Sequence, residues 1–237
     1  MKDKNINGKK EIVKKFAEKG YSLQGYSPVY IIEIIFHFST KNRSDEELKK
    51  LAEDLINNFG NVQNFLFSDR NSLQCMGLSE DEMDNIAFMA ALFRRMCVDD
   101  YQIPLEYSDR DMLERYLKAI FRFELVEKLY LFPVKNQKIV DCRYINEGIE
   151  DSLSFNINNL IKVLEDYPDC HEYILAHNHP RNFCKPSATD ISSTKLIAGK
   201  LRLLGYELVA HYTVGIDGVD TILQDINYLQ YLFGADD

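Results

Sequence analysis

Within residues 173–190, YILAHNHPRNFCKPSATD, a strand, a pair of ligand-type side chains and a helix start follow one another at fixed distances. Few folds accommodate that order. Tyr173, Ile174, Leu175 and Ala176 form a short apolar run bounded by Pro180, the pattern of a buried strand. Side chains alternate along an extended segment, so His177 and His179 point to one side while Asn178 turns away. Ser187-Ala188-Thr189-Asp190 fits the capping box that opens a helix, with the carboxylate in its first turn. A short loop brings Asp190 back toward the histidines, which makes three candidate ligands. Zinc held by three protein ligands keeps its fourth position for water, the arrangement of a hydrolytic site. Each piece also has a plainer account. Capping alone explains Ser187 and Asp190, and two histidines beside a proline suit a polar loop. A nucleophile built from Ser187 or Cys184 with a histidine would need an oxyanion hole that nothing in the sequence marks. The joint pattern favours metal.

Composition bounds the rest. At 237 residues, with 46% hydrophobic residues, the chain can bury one sizeable core or two smaller ones. A formal charge of −9 argues against a nucleic-acid grip spread over the whole surface. Five cysteines without a framework spacing or a Cys-x-x-Cys pair suit free thiols in a reducing cytoplasm. No apolar signal core opens the sequence. Val29 to Phe38 is interrupted by Glu33 and is far too short to span a bilayer, so no membrane partner is expected.

Three regions are expected along the chain: an arm over residues 1–24, a helical domain over 25–105 and a mixed domain over 106–237. The arm is Lys-rich, with Asp3, Glu11 and Glu18 as its acids, and reads as a frayed, solvated helix. From Ser27 to Asp100 the periodicity is helical. Pro28 suits a helix start, and Ile31, Ile32, Ile35 and Phe36 form a packed stripe. Ser44 caps a run of acids that favours a helix N-terminus; Leu48, Leu51, Leu55 and Ile56 line that helix, and Gly60 ends it. His37 sits in an apolar run and reads as structural. Leu73 to Ser79 reads as a hairpin before a helix from Glu80 to Met96, and Tyr101 to Ser108, with Pro104, as a linker. A helix from Asp109 to Phe121 precedes strands at Leu125–Phe132 and Lys138–Tyr144, joined by a turn at Val134–Gln137. Then come a helix from Asn156 to Glu165, the histidine strand, and a helix after Asp190 with Ile191, Thr194, Ala198 and Leu201 buried and Gly205 at its end. Strands at Tyr206–Val214 and Val219–Leu223 finish the pattern, with a turn at Asp217-Gly218. The fold class is α/β (α+β): an all-α N-terminal domain, then a mixed sheet flanked by helices.

The spacing His-x-His-Pro, then Ser187 and Asp190, resembles the signature of the JAB/MPN (JAMM) metalloprotease fold. The run His-Asn-His-Pro is similar in particular to the RadC family, and the resemblance covers roughly Phe123 to Ile222. Leu73 to Ser79 is similar to that family's helix-hairpin-helix, with Ser79 in place of its second glycine and Glu80, Asp81 and Glu82 following. Those carboxylates suit a helix dipole and repel a phosphate, so DNA is a possible but disfavoured partner. The resemblance implies a cytidine-deaminase-like architecture and one Zn2+ on His177, His179 and Asp190. It further implies hydrolysis of a peptide or isopeptide amide by a metal-activated water, with a peptide or protein as substrate. In that family the serine of the Ser-x-x-Asp pair supports the tetrahedral intermediate, which here is Ser187. The general base is a glutamate on the first strand. Registering Lys135-Asn136-Gln137 on the family's turn puts Leu125 at that position; Glu127 lies two residues on, on the same face, and Glu124 reaches it only through a one-residue bulge. Glu127 is preferred, with Glu124 as second candidate. The chain departs from the family at Arg181-Asn182, where Ser-Gly is usual, and at Ala210-His211, where the usual pair is Asp-His. Cys184, in the same loop, reads as an ordinary thiol rather than a fourth ligand. The competing functions are a non-catalytic MPN-type scaffold and a DNA-repair-associated DNA-binding protein. No sequence feature fixes an oligomeric state.

Overall fold

The computed structural model describes residues 3–39, 43–101, 103–147 and 157–223. The chain divides into two compact units, Met1–Phe93 and Arg94–Asp237. The first unit is helical: α1 (Asp3–Glu18), α2 (Pro28–Ser39), α3 (Asp45–Phe59), α4 (Val62–Leu66), α5 (Arg70–Cys75) and most of α6 (Glu80–Val98). The Lys-rich segment is a helix that sets Phe16 edge-on against Phe38 of α2. Ser44 caps α3 in a full capping box with Glu47, and Gly60 closes it in the left-handed region. Its inward residues are Leu48, Leu51, Ala52 and Leu55. On α2 the buried positions are Ile32, Ile34, Phe36 and His37, so the stripe is rotated from the expected one, and Ile31 and Ile35 are half-buried. His37 lies 3.9 Å from Asp45 within that packing.

The second unit contains β1 (Leu105–Glu106), α7 (Arg110–Phe121), β2 (Lys128–Lys135), β3 (Lys138–Ile139) and β4 (Arg143–Glu147). It continues with α8 (Ile157–Asp166), β5 (Glu172–Asn178), α9 (Ala188–Leu203), β6 (Glu207–Val214) and β7 (Val219–Leu223). The sheet runs β1-β3-β2-β5-β6-β7, with β4 paired to β2. Among the described strands only β5 and β6 are parallel, and α9 is their crossover, as a parallel pair requires. Asn136 and Gln137 both have positive φ, the geometry of a tight hairpin turn between β2 and β3.

Strand alternation divides the core between two faces. Leu129, Leu131, Tyr173 and Leu175 pack with Leu160 and Leu164 of α8 and Leu201 of α9. Phe132, Val134, Ile174 and Ala176 pack with Leu113, Leu117 and Phe121 of α7. The sheet is therefore covered on both sides, and the mixed α+β class follows. His177 continues the parity of Tyr173 and Leu175, toward α9.

Four expectations need correction. The first strand begins at Lys128, not Leu125, so neither Glu124 nor Glu127 lies on it. The second breaks into β3 and β4. The segment read as a linker contains β1, whose Leu105 pairs with Ile139; two residues are too short for alternation to reveal. On α9 the buried positions include Asp190, Thr194, Ile197, Ala198 and Leu201, while Ile191 is exposed. The inward place in the first turn belongs to the carboxylate, not to the isoleucine. Helix α8 runs as expected over 157–165, and Asn156 lies outside the described residues.

Candidate metal centre

His177 lies fully buried near the end of β5, which stops at Asn178, two residues before Pro180. The backbone N–H of His179 donates to Val214 of β6 at 2.8 Å, which holds the segment against the sheet. The next loop is seated on the β6–β7 turn. Asn182 accepts from the Ile216 N–H at 2.9 Å, and Asp217 accepts from the Cys184 N–H at 2.8 Å. Gly215 permits this approach: a Cβ there would meet the Cys184 nitrogen at 2.1 Å and the Phe183 carbonyl carbon at 2.4 Å. Arg181, where RadC-like chains carry Ser-Gly, takes a φ of 64°, a left-handed conformation that costs an L-residue about 1–2 kcal/mol. The seated loop brings the Phe183 carbonyl to 3.0 Å from His179 Nδ1. A carbonyl only accepts, so His179 Nδ1 carries a proton and Nε2 is the ring nitrogen that faces Asp190.

Ser187 is the N-cap of α9. Its Oγ accepts from the Asp190 N–H at 3.1 Å, and Asp190 Oδ2 accepts from the Ser187 N–H at 2.6 Å. The capping box and the convergence on the histidines coexist, because the bond to Ser187 leaves the rest of the carboxylate turned inward. His177 Nε2 lies 3.3 Å from Asp190 Oδ1, and His179 Nε2 lies 3.3 Å from Asp190 Oδ2. The two Nε2 atoms are 3.1 Å apart. Donors bound tetrahedrally to zinc at its usual bond lengths are spaced about 3.3 Å from one another. The two imidazoles and the carboxylate thus converge closely enough to share one ion, one donor atom from each lying within 4.8 Å of the others. Burial alone would raise the Asp190 carboxyl, but the contacts with His177 and Ser187 outweigh it and hold the group well below the usual carboxylate range. A metal ligand must be ionised, and the N–H donated by Ser187 favours that form of the carboxylate.

A further set of polar groups lies behind His177. His211 of β6 is fully buried, with Nε2 at 2.9 Å from His177 Nδ1. Its Nδ1 is 2.6 Å from Thr194 Oγ1, and that hydroxyl reaches the Asp190 carbonyl oxygen at 2.6 Å. Burial, then the neighbouring His177, keeps His211 well below the ordinary imidazole range. Ala210, where the related chains carry an acid, points to the other side of the sheet, into the core against α7. Sequence reasoning expected His211 without a neighbouring acid and did not find Thr194. The signal was present: Thr194 stands four residues after Asp190, hence on the same helix face.

The candidate bases take different places. Glu124, in the turn after α7, is buried and ion-paired with Arg94 at 2.9 Å and Lys128 at 2.6 Å. Glu127 immediately precedes β2 and is half-buried. Leu129 pairs with His177, and Glu127 lies two residues before it, just outside the strand. The Asn178 side chain substitutes for strand pairing here. Its Oδ1 accepts from the Lys128 N–H at 2.8 Å and its Nδ2 donates to the Val126 carbonyl at 3.1 Å, so both peptides around Glu127 are held. Cys184 is not among the clustered donor atoms, and burial followed by Asp217 raises its thiol.

A mixed sheet sandwiched by helices, with two histidines at a strand end and an acid opening the next helix, defines an α+β domain organised around a candidate metal site. Residues 107–222 match the family model described as RadC-like JAB domain, and this part of the chain belongs to that family. Across its length the chain is 24% identical to a UPF0758 protein of Fusobacterium nucleatum, over 95% of this chain and 99% of that protein. A UPF0758 protein of Neisseria meningitidis is 24% identical over 89% of this chain and 92% of its own length. One from Aliivibrio fischeri is 25% identical over 70% and 75% respectively.

Proposed function

We propose that this domain is a zinc-dependent hydrolase of peptide or isopeptide amides, with His177, His179 and Asp190 holding the ion. The observation that carries the reading is the convergence of the two Nε2 atoms and the Asp190 carboxylate within 4.8 Å of one another, on side chains that are buried or nearly so. Zinc, when bound, supplies a water acidified to near neutrality and a Lewis acid for a carbonyl. The chain's own residues supply the rest. Glu127 would be the base that takes the water's proton and returns it to the leaving amine, a role supported by its place two residues before Leu129, the strand partner of His177. Ser187 Oγ already accepts from Asp190, so its hydroxyl proton is available to the substrate oxygen as negative charge develops there. Glu124, committed to Arg94 and Lys128, serves the fold.

A peptide or protein is the substrate class. DNA is not the favoured partner, because the helical hairpin's own groups are occupied. The Ser79 N–H donates to Glu82 at 2.8 Å, and the Gly77 carbonyl accepts from Arg43 at 2.7 Å. A phosphate would have to displace a carboxylate from that place. No described helix is long and apolar enough to cross a membrane. The free thiols suit a cytoplasmic setting.

The test is turnover of isopeptide- and peptide-amide reporters by the zinc-loaded protein. Glu127→Gln is expected to lower kcat by about 10²–10⁴ while zinc content is unchanged. Glu124→Gln is expected to lower stability instead. Equal turnover in the wild type and Glu127→Gln would remove Glu127 as the base, and no turnover by the zinc-loaded wild type would favour the scaffold reading.

A further inference from the structure

The direction of the buried hydrogen bonds behind His177 can be worked out from the groups themselves. The Asp190 carbonyl oxygen is only an acceptor, and Thr194 Oγ1 approaches it at 2.6 Å. The single hydroxyl proton is therefore spent there; otherwise two lone-pair oxygens would be pressed together inside the protein. Thr194 Oγ1 must then accept from His211, whose Nδ1 lies 2.6 Å away, so His211 Nδ1 carries a proton. An ion on His177 Nε2 leaves that ring's proton on Nδ1, directed at Nε2 of His211. His211 Nε2 is thus a lone pair that accepts from His177 Nδ1 at 2.9 Å.

We propose that Thr194 and His211 are positioning residues for His177. They form a one-way hydrogen-bond chain that places the imidazole proton on Nδ1 and leaves Nε2 to face the ion as a bare donor atom. The chain ends on the carbonyl of Asp190, whose carboxylate is another ligand, so the first turn of α9 sets both the position of one ligand and the tautomer of another. His179 is oriented separately, by the Phe183 carbonyl. The consequence is a ligand set whose two imidazoles are both held with Nε2 toward the ion, which lowers the cost of assembling the site. This rests on the metal-site reading above.

The experiment measures zinc affinity by competition with a chromogenic chelator and reads the ring nitrogens by 15N NMR in histidine-labelled full-length protein. Thr194→Val preserves volume and removes the hydroxyl; Thr194→Ser restores it. The valine variant is expected to bind zinc about 10–100-fold more weakly. Its His177 nitrogens should lose the wild-type pattern of protonated Nδ1, and serine should recover both readouts. Wild-type affinity and wild-type 15N shifts in Thr194→Val would overturn the proposal while leaving the metal site standing. A wild type that takes up no zinc would sink the site itself, and the chain's purpose with it. Circular dichroism of each variant separates these outcomes from a failure to fold.

Discussion

Two helices in this protein open with the same local device and turn it to different ends. In the first unit, the Ser79 N–H donates to Glu82 at the start of α6; in the second, the Ser187 N–H donates to Asp190 at the start of α9. Both acids are buried, at 2% and 4% exposure, so each requires positive charge or donors nearby. Glu82 has a built-in cation. Arg43 grips both of its oxygens, at 2.7 and 2.9 Å, and holds its carboxyl below the ordinary value against the opposing effect of burial. Asp190 faces two imidazoles instead, at 3.3 Å each. An arginine closes one site permanently; a pair of titratable, ligand-type rings leaves the other able to exchange a proton for an ion. The third box, Ser44 with Glu47 on α3, is exposed and only caps. The groups that meet the capping acid, rather than the cap, decide between structure and chemistry.

The contrast can be broken at its strongest point first. Arg43→Met would strand a buried carboxylate, with an expected loss of about 3–5 kcal/mol in denaturant unfolding and no change in zinc uptake. A loss of zinc in that variant would mean the two sites are not independent in the way described. At the exposed box, Ser44→Ala should cost about 1 kcal/mol, read as a small shift of the thermal midpoint. A cost as large as that of Arg43→Met would show that burial is not what separates the three.

The histidine pair and Asp190 could be read from the sequence because each placement is local. Strand alternation sets His177 and His179 on one face, and the capping box fixes Asp190 in the first turn of α9. The fold class was legible for the same reason, from periodicities long enough to distinguish helix from strand. Glu127 was harder. The delayed start of β2 depends on Asn178, which holds Val126 and Lys128 from a strand fifty residues on, and no local pattern encodes that bond. Glu124 looked similar in sequence, yet its ion pair with Arg94 joins positions thirty residues apart. His211 was visible as a residue but its partner was not. The family comparison led attention to the missing acid at Ala210, which faces the other core, whereas the contact that matters comes from the adjacent helix.

Elemental analysis of the purified protein with two acid-to-amide variants beside the wild type measures the central claim. About one zinc per chain is predicted in the wild type and in Glu82→Gln, with background levels in Asp190→Asn. Equal metal in the wild type and Asp190→Asn, at any level, would contradict the account.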